Sequence, residues 1–293
     1  MKKLDQKMKE FSKVIIDAME NNKGHWTKGW NTIGISDYPK NAVSNKDYQG
    51  SNVFMLWFFA SSNGFTCNQY ATFNQVKKLG GSIIKGSKGQ TILCPKMFTN
   101  EDILSKDYGK TFIAGFYPAT VFNLEQTTGL ENLIETVDYV PTEIETIANV
   151  EKFIANTKAN IKFGGDIACY RHSIDTVGLP NIDQFHSTNS YYSTALHELI
   201  HWTMHKSRCN REIGMEKTDY AFEELIAESG SAMLCMLLGI TTEPRPDHAK
   251  YLNSWIKRIK DNPKVIFDAF KHAQTAVNYL YSLQDIEEVK KVA

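Results

Sequence analysis

Apolar residues near the start of the chain recur at helical spacing. Leu4, Met8, Phe11, Val14, Ile15 and Met19 fall on one face, which predicts an amphipathic helix. Charges at Asp5, Lys7, Lys9, Glu10 and Lys13 interrupt any long apolar core, so the segment is not a signal peptide. "SNVFMLWFFASSNG" is apolar around its circumference and closes at Gly64, as a buried helix does. "FTCNQYATFNQVKKLGG" reads as a short strand and then a helix from Asn74 to Leu79. "SIIKGSKGQTILCPKMF" reads as two strands joined at Gly86–Gly89, and "TFIAGFYPATVFNLEQTTG" as a further strand region. An acidic stretch carrying Pro141 and lacking a period follows, and a linker is expected at 131–146. Beyond it the pattern predicts a helix over Glu145–Thr157 and short strands at 161–163, 167–170 and 176–179. Three long helices complete the chain at 188–205, 220–238 and 247–283, the last broken near Asn262–Pro263. The expected fold class is α+β, a mixed first half followed by a largely helical second half.

Composition adds one asymmetry to this picture. The 293 residues carry zero net charge, yet residues 1–130 hold 16 lysines, no arginine and 10 acids, a net +6. The remainder carries −6, so the two halves are expected to have different tasks. A basic half suits a polyanion such as nucleic acid, or is simply a lysine-rich solvated surface. Five cysteines form no C-x-x-C pair, which argues against a disulfide framework or thiolate zinc finger and for reduced thiols in a cytoplasm. No segment has the apolar length of a membrane span, and no membrane partner is expected.

The chemistry concentrates in "SYYSTALHELIHWTMHKSRCN". Its H-E-x-x-H places His197 and His201 one helical turn apart on one face, where two imidazoles can meet one cation, with Glu198 beside them as a base for an attacking water. Two hydrogen-bonded core histidines would be the inert reading of the same residues. The longer pattern with Gly and His three and six residues after His201 is excluded, because Met204 and Ser207 stand there. His205 is a second step of four along a straight helix and rotates away from the shared centre. The third ligand is expected from "DYAFEELIAESGSAML", an apolar helix bearing Glu223, Glu224 and Glu228. Glu224 is assigned as ligand and Glu228 as the acceptor for a ligand histidine's other N–H, with the exchanged assignment kept open. "YRHSIDTVGLPNIDQF" could offer an edge to an extended substrate. Within it Tyr170 and His172 are candidate transition-state donors, an ordinary loop role being the expectation for each.

In the basic half, "GGSIIKGSKGQT" lacks the G-K-[ST] end of a nucleotide P-loop. Lys77, Lys78, Lys85 and Lys88 could neutralise phosphates, and Trp26, Trp30, Tyr48, Trp57, Tyr70 and Phe73 are candidate stacking platforms for single-stranded nucleic acid. Trp57 and Phe73 lie in apolar runs and are expected in the core. Trp26 and Trp30 sit among Lys23, His25 and Lys28. The selected DNA contacts are Trp26, Lys28, Trp30, Tyr48, Lys85 and Lys88.

At this point the chain resembles the ArdC-type antirestriction proteins of plasmids and phages. "HWTKGW", "PKNAVSNKDYQGSNVFML", "YATFNQVKKLGGSIIKGSKGQTI" and "VFNLEQTTG" are similar to their N-terminal single-stranded-DNA-binding domain. "YYSTALHELIHWTMHKSR", "YAFEELIAESGSAML" and "HAKYLNSWIKRIKDNP" are similar to their zincin-like metallopeptidase domain. The resemblance implies a DNA-binding domain over 1–130, a linker over 131–146 and a zincin-like domain over 147–293. It implies one divalent metal, zinc by donor chemistry, held by His197, His201 and an acid of "EELIAE". It also implies protection of incoming mobile DNA in the host cytoplasm. The partners would be single-stranded DNA, with double-stranded DNA second, and a host defence protein or peptide substrate. Phosphate contacts in this chain fall to lysines, without the bidentate arginine fork. Enzyme and binder both remain open, the second being a non-catalytic module with a structural metal. Metal-dependent DNA hydrolysis is disfavoured by a His/His/Glu set.

Overall fold

The computed structural model describes residues 2–21, 38–134, 143–211, 217–240 and 248–284, so Trp26, Lys28 and Trp30 lie outside the described residues. Helix α1 runs over Lys2–Asn21 and buries Phe11, Ile15 and Met19 as expected, but Ile16 joins them and Val14 is 45% exposed, because the buried stripe includes Ser12 and Ile16 and Val14 turns to its other side. The described residues of 1–13 and 39–136 gather in one compact unit, and those of 14–38 and 137–293 in another.

In the first unit, β1 (Lys40–Asn41) precedes α2 (Ser51–Asn63). Val53, Phe54, Met55, Leu56, Trp57 and Ala60 of α2 are buried, and the helix ends where Gly64 adopts a left-handed φ of 70°. β2 (Gln69–Thr72) leads directly into α3 (Phe73–Lys78), whose first turn is closed by Thr72 and Gln75 in a reciprocal capping box. Phe73 is 57% exposed, not in the core as expected, because the cap turns the chain outward at that residue. Trp57 is buried as expected, and Tyr70 is fully buried and unavailable for stacking.

β3 (Ser82–Ile83), β4 (Gln90–Thr99), β5 (Thr111–Asn123) and β6 (Thr127–Thr128) complete the unit. The two strands flanking Gly86–Gly89 do not pair with each other. β3 pairs antiparallel with β6, while β4 joins a four-stranded sheet of order β1-β2-β5-β4. One small cluster is built from Cys67, Ala71, Val76, Leu124 and Leu130, and a second from Leu56, Tyr70, Ile92 and Val121. β2 pairs only with residues 121–123 of β5, whereas β4 follows β5 from Gln90↔Val121 to Thr99↔Thr111. Among the described residues the far part of β4 and β5 is therefore a two-stranded ribbon. At its base the side-chain amide of Asn52 donates to Leu93 O at 2.9 Å and accepts from Leu93 N–H at 2.8 Å, occupying the edge of β4 as a neighbouring strand would.

The second unit contains α4 (Glu143–Asn156), the short strands β7 (Ile161–Phe163), β8 (Cys169–Arg171) and β9 (Thr176–Leu179), and α5 (Thr188–Trp202). These are followed by α6 (Lys217–Leu237), α7 (His248–Asp261) and α8 (Lys264–Ser282). The sheet order is β7-β9-β8, with β7 parallel and β8 antiparallel to β9, so β8 is an edge. α5 begins where Ser187 accepts from Ser190 N–H at 3.0 Å, and every residue from Tyr191 to Trp202 is buried. The helix stops three residues earlier than its pattern predicts. Thr203 Oγ1 and Arg211 Nη2 donate to Ile200 O at 2.6 and 2.8 Å, so that carbonyl is taken and His205 falls in the following turn. α5 packs on α6, where a Cβ at Gly230 would lie 2.7 Å from Ile200 Cδ1; only glycine permits this approach. α6 also packs on α8, which buries Ile266, Phe270, Ala273, Val277 and Leu280, and Trp255 of α7 donates to Ala221 O at 2.6 Å. The expected break falls at Asn262–Pro263, between α7 and α8. No described helix is long and apolar enough to cross a membrane, and none of the five cysteines forms a disulfide.

Candidate metal centre

The helical step of four brings the two imidazoles of α5 together. His197 Nε2 and His201 Nε2 lie 3.1 Å apart, and both side chains are buried. From α6, Glu224 sets Oε2 3.4 Å from His197 Nε2 and Oε1 3.4 Å from His201 Nε2. One ligand atom from each of the three residues lies within 4.8 Å of the others. The opposite ring nitrogens also face acids. His201 Nδ1 is 3.3 Å from Glu223 Oε1, and His197 Nδ1 is 3.5 Å from Glu228 Oε2. With the Nδ1–H groups turned toward these acids, two Nε2 lone pairs and two carboxylate oxygens converge on one point. Either a proton shared between the two Nε2 atoms or a cation satisfies an approach this close, and two imidazoles with one carboxylate make a donor set for a divalent metal ion. The buried Nδ1 of His197 makes no hydrogen bond among the described residues, leaving Glu228 as the acid that faces it.

The sequence pattern assigns no role to Glu223 or Arg211, which the fold brings to the centre. Arg211 Nε and Nη2 donate to Glu223 Oε2 and Oε1 at 3.1 and 2.6 Å, and its Nη1 donates to Thr203 Oγ1 at 2.7 Å. A visible signal was the adjacent pair Glu223–Glu224 on a buried helix, since two neighbours cannot aim at one centre. Without a metal, burial opposes charge on His201, but Glu223, Glu224 and Glu198 together outweigh it and raise its pKa to about 10. Burial also opposes ionisation of Glu223 and Glu224. The histidines, together with Arg211 for Glu223, nevertheless hold both below the ordinary carboxylate value.

A cleft of about 680 Å3 opens onto this centre. It is lined by Glu198, His201 and Glu224, by Cys169 and Tyr170 of the edge strand β8, and by Tyr220 among others. Glu198 is buried yet borders the cleft. Tyr170 also borders it, but its hydroxyl donates to Asp175 Oδ1 at 2.8 Å and accepts from Arg208 Nη2 at 3.2 Å. Arg208 pairs with Asp175 and lies over the Trp202 ring at 3.9 Å, so this group braces the turn that holds Asp175 at a φ of 46°. His172 lines the cleft with its ring 5.5 Å from that of His205.

Of the expected DNA contacts, Tyr48, Lys85 and Lys88 lie among the described residues. Tyr48 is half-buried, edge-on to Tyr70 at 6.3 Å, and its hydroxyl accepts from Asn41 at 3.3 Å. Lys85 and Lys88 are exposed on the loop before β4, where Gln126 Nε2 fixes the Lys88 carbonyl at 3.0 Å.

An H-E-x-x-H helix answered by a carboxylate from the next buried helix, beside the free edge of a small sheet, defines a zincin-like metalloprotein. Residues 148–272 match the family model of a zincin-like metallopeptidase, and residues 5–117 that of the N-terminal domain of the anti-restriction factor ArdC. The chain belongs to the ArdC antirestriction family. The Mn(II)-bound crystal structure of the antirestriction protein ArdC from plasmid R388 is similar to it with a TM-score of 0.77 and 32% identity, over 94% of this chain and 97% of that one. The metal-free structure of the same protein gives 0.77 and 33%. The protein y4eC of Sinorhizobium fredii is 31% identical over 92% of this chain and 90% of its own length. Two Escherichia coli proteins named DNA primase TraC are also 31% identical over 94% of this chain, which spans only 20% and 27% of their length.

Proposed function

We propose that this protein is an antirestriction factor of a mobile element or phage, acting in the host cytoplasm. In this reading residues 1–130 bind single-stranded DNA and, more weakly, duplex DNA. Residues 131–146 link them to a zinc-dependent peptidase-like domain over 147–293. The observation that carries the second half is the convergence of His197, His201 and Glu224 on one point that borders a cleft. These three residues would hold the ion, and the bound ion supplies Lewis acidity to a scissile carbonyl and to water. Glu198 takes the proton of the attacking water and returns it to the leaving amine. Glu223 holds the Nδ1 proton of His201 and Glu228 faces that of His197, an arrangement that would keep both Nε2 atoms available. An extended peptide from a host defence protein would lie along the open edge of β8 as an added strand. Tyr220, on α6 one turn before Glu224, stands at the cleft with its hydroxyl on Glu224, and by turning from that acid its O–H would donate a hydrogen bond to a developing oxyanion.

Glu198→Gln tests this reading. The variant is expected to retain the metal and to lose both proteolysis and protection of incoming DNA. If protection is unchanged and no substrate is ever cut, the peptidase role fails and a structural metal in a binding module takes its place. DNA binding has its own measurement: affinity for single strands should fall steeply with salt, and a flat response would remove it.

A further inference from the structure

The ribbon of β4 and β5 exposes an unusual density of apolar groups. Nine of the exposed large hydrophobic side chains fall between Met97 and Tyr117, more than a solvated hairpin requires. Its register sorts them. Phe98 stands opposite Phe112, Lys96 opposite Gly115 and Cys94 opposite Tyr117, while Met97 faces Ile113 and Pro95 faces Phe116. Alternation along a strand therefore gives one face Phe98, Phe112, Lys96, Gly115 and Tyr117, and the other Met97, Ile113, Pro95 and Phe116. Phe112 and Tyr117 are five residues apart, an odd spacing that would send them to opposite faces. The irregularity at Lys96/Met97 leaves Ala114 unpaired and returns both rings to one face.

That face has the parts of a stacking surface. Phe98, Phe112 and Tyr117 are 56%, 45% and 53% exposed. Between the phenylalanine pair and the tyrosine lies bare backbone: Gly115 has a φ of 149°, and a Cβ there would meet nothing within 4 Å. The exposed Lys96 stands across from this gap. Flat rings flanking an open slot with one cation suit unstacked bases joined by a phosphate. An apolar protein partner needs neither the slot nor the lysine. The aliphatic opposite face, and Ile103 and Leu104 at the tip, lack this combination.

We propose that this face of the ribbon is the single-stranded nucleic-acid site, with bases on Phe98, Phe112 and Tyr117 and a phosphate at Lys96. This rests on the DNA-binding reading of the N-terminal half and moves its centre away from Tyr48, Lys85 and Lys88.

The test is titration of the full-length protein with a labelled oligothymidylate, followed by fluorescence anisotropy at several salt concentrations. Phe98→Ala, Phe112→Ala and Tyr117→Ala are each expected to weaken binding roughly fivefold to a hundredfold. Lys96→Ala should reduce the slope of log affinity against log salt by about 0.7, the share of one phosphate on a single strand. Met97→Ala with Ile113→Ala, on the other face, should leave affinity unchanged. Phe98→Tyr and Phe112→Tyr should retain binding, which separates stacking from collapse of the hairpin. If the wild type binds and the three alanine variants bind equally well, the site lies elsewhere and the DNA-binding reading survives. If the wild type fails to bind at low salt, that reading falls and this proposal with it. If the alanine variants change the sedimentation behaviour but not DNA affinity, the face joins copies of the chain and the proposal is overturned.

Discussion

Glu223 and Glu224 are sequence neighbours with different partners. A rotation of about 100° between them on α6 sends one to Arg211 and the Nδ1 of His201, the other to the two Nε2 atoms. Replacing Glu223 by Gln is expected to weaken metal binding about 10- to 100-fold, read by competition with a chromogenic chelator. Arg211→Met leaves that acid buried without its cation and should cost about 3–5 kcal/mol, seen as a lower thermal midpoint. The pH dependence follows from His201. Its pKa in the metal-free protein is about 10 against an ordinary 6.5. The proton therefore stabilises the fold fully below pH 6.5, and that contribution is lost as pH rises towards 10. Metal affinity should move the other way, tightening over the same window as the proton leaves. Thermal melts in chelator and metal titrations, each compared with His201→Gln, check both trends. The H-E-x-x-H pair was legible because a step of four fixes two side chains on one face whatever surrounds them. Arg211 was not, since it lies outside any periodic element and reaches Glu223 only through the turn that ends α5.

At the scale of elements, the centre depends on how closely α5 and α6 approach. Gly230 sits against Ile200, the residue before His201. Gly230→Ala should wedge the helices apart, at a cost of about 1–3 kcal/mol, and weaken metal binding although it touches no ligand. Calorimetric melting with and without metal measures both effects. A normal metal affinity in a destabilised protein would show that the ligands do not depend on this contact. The helices were readable from their apolar spacing, and Pro263 marked the last break. Strand partners were not readable: the glycines at 86 and 89 look like a hairpin, whereas β3 finds β6. The apolar ribbon was equally hidden, because alternating aromatic and aliphatic residues look the same whether a sheet face is covered or open.

The whole molecule joins a basic half at +6 to an acidic half at −6. On the proposed reading the two activities are chemically separate. Glu198→Gln should leave oligonucleotide affinity within error of the wild type, and Lys96→Ala should leave metal affinity unchanged. In the double variant both losses should add without coupling. A coupling greater than about 0.5 kcal/mol would show that the sites communicate. The relatives present the halves together, in a protein of similar length and within the much longer TraC chains.

The Arg211 clamp bears on the order of assembly. Four buried acids (Glu198, Glu223, Glu224 and Glu228) surround the histidines. A core so negative would resist closure until an ion arrived. Arg211 supplies one permanent countercharge, and a proton on His201 acts as placeholder for a second. Collapse of the helices is therefore expected to precede metallation. A chelated, denatured sample should recover its native circular dichroism on dilution and take up the ion afterwards.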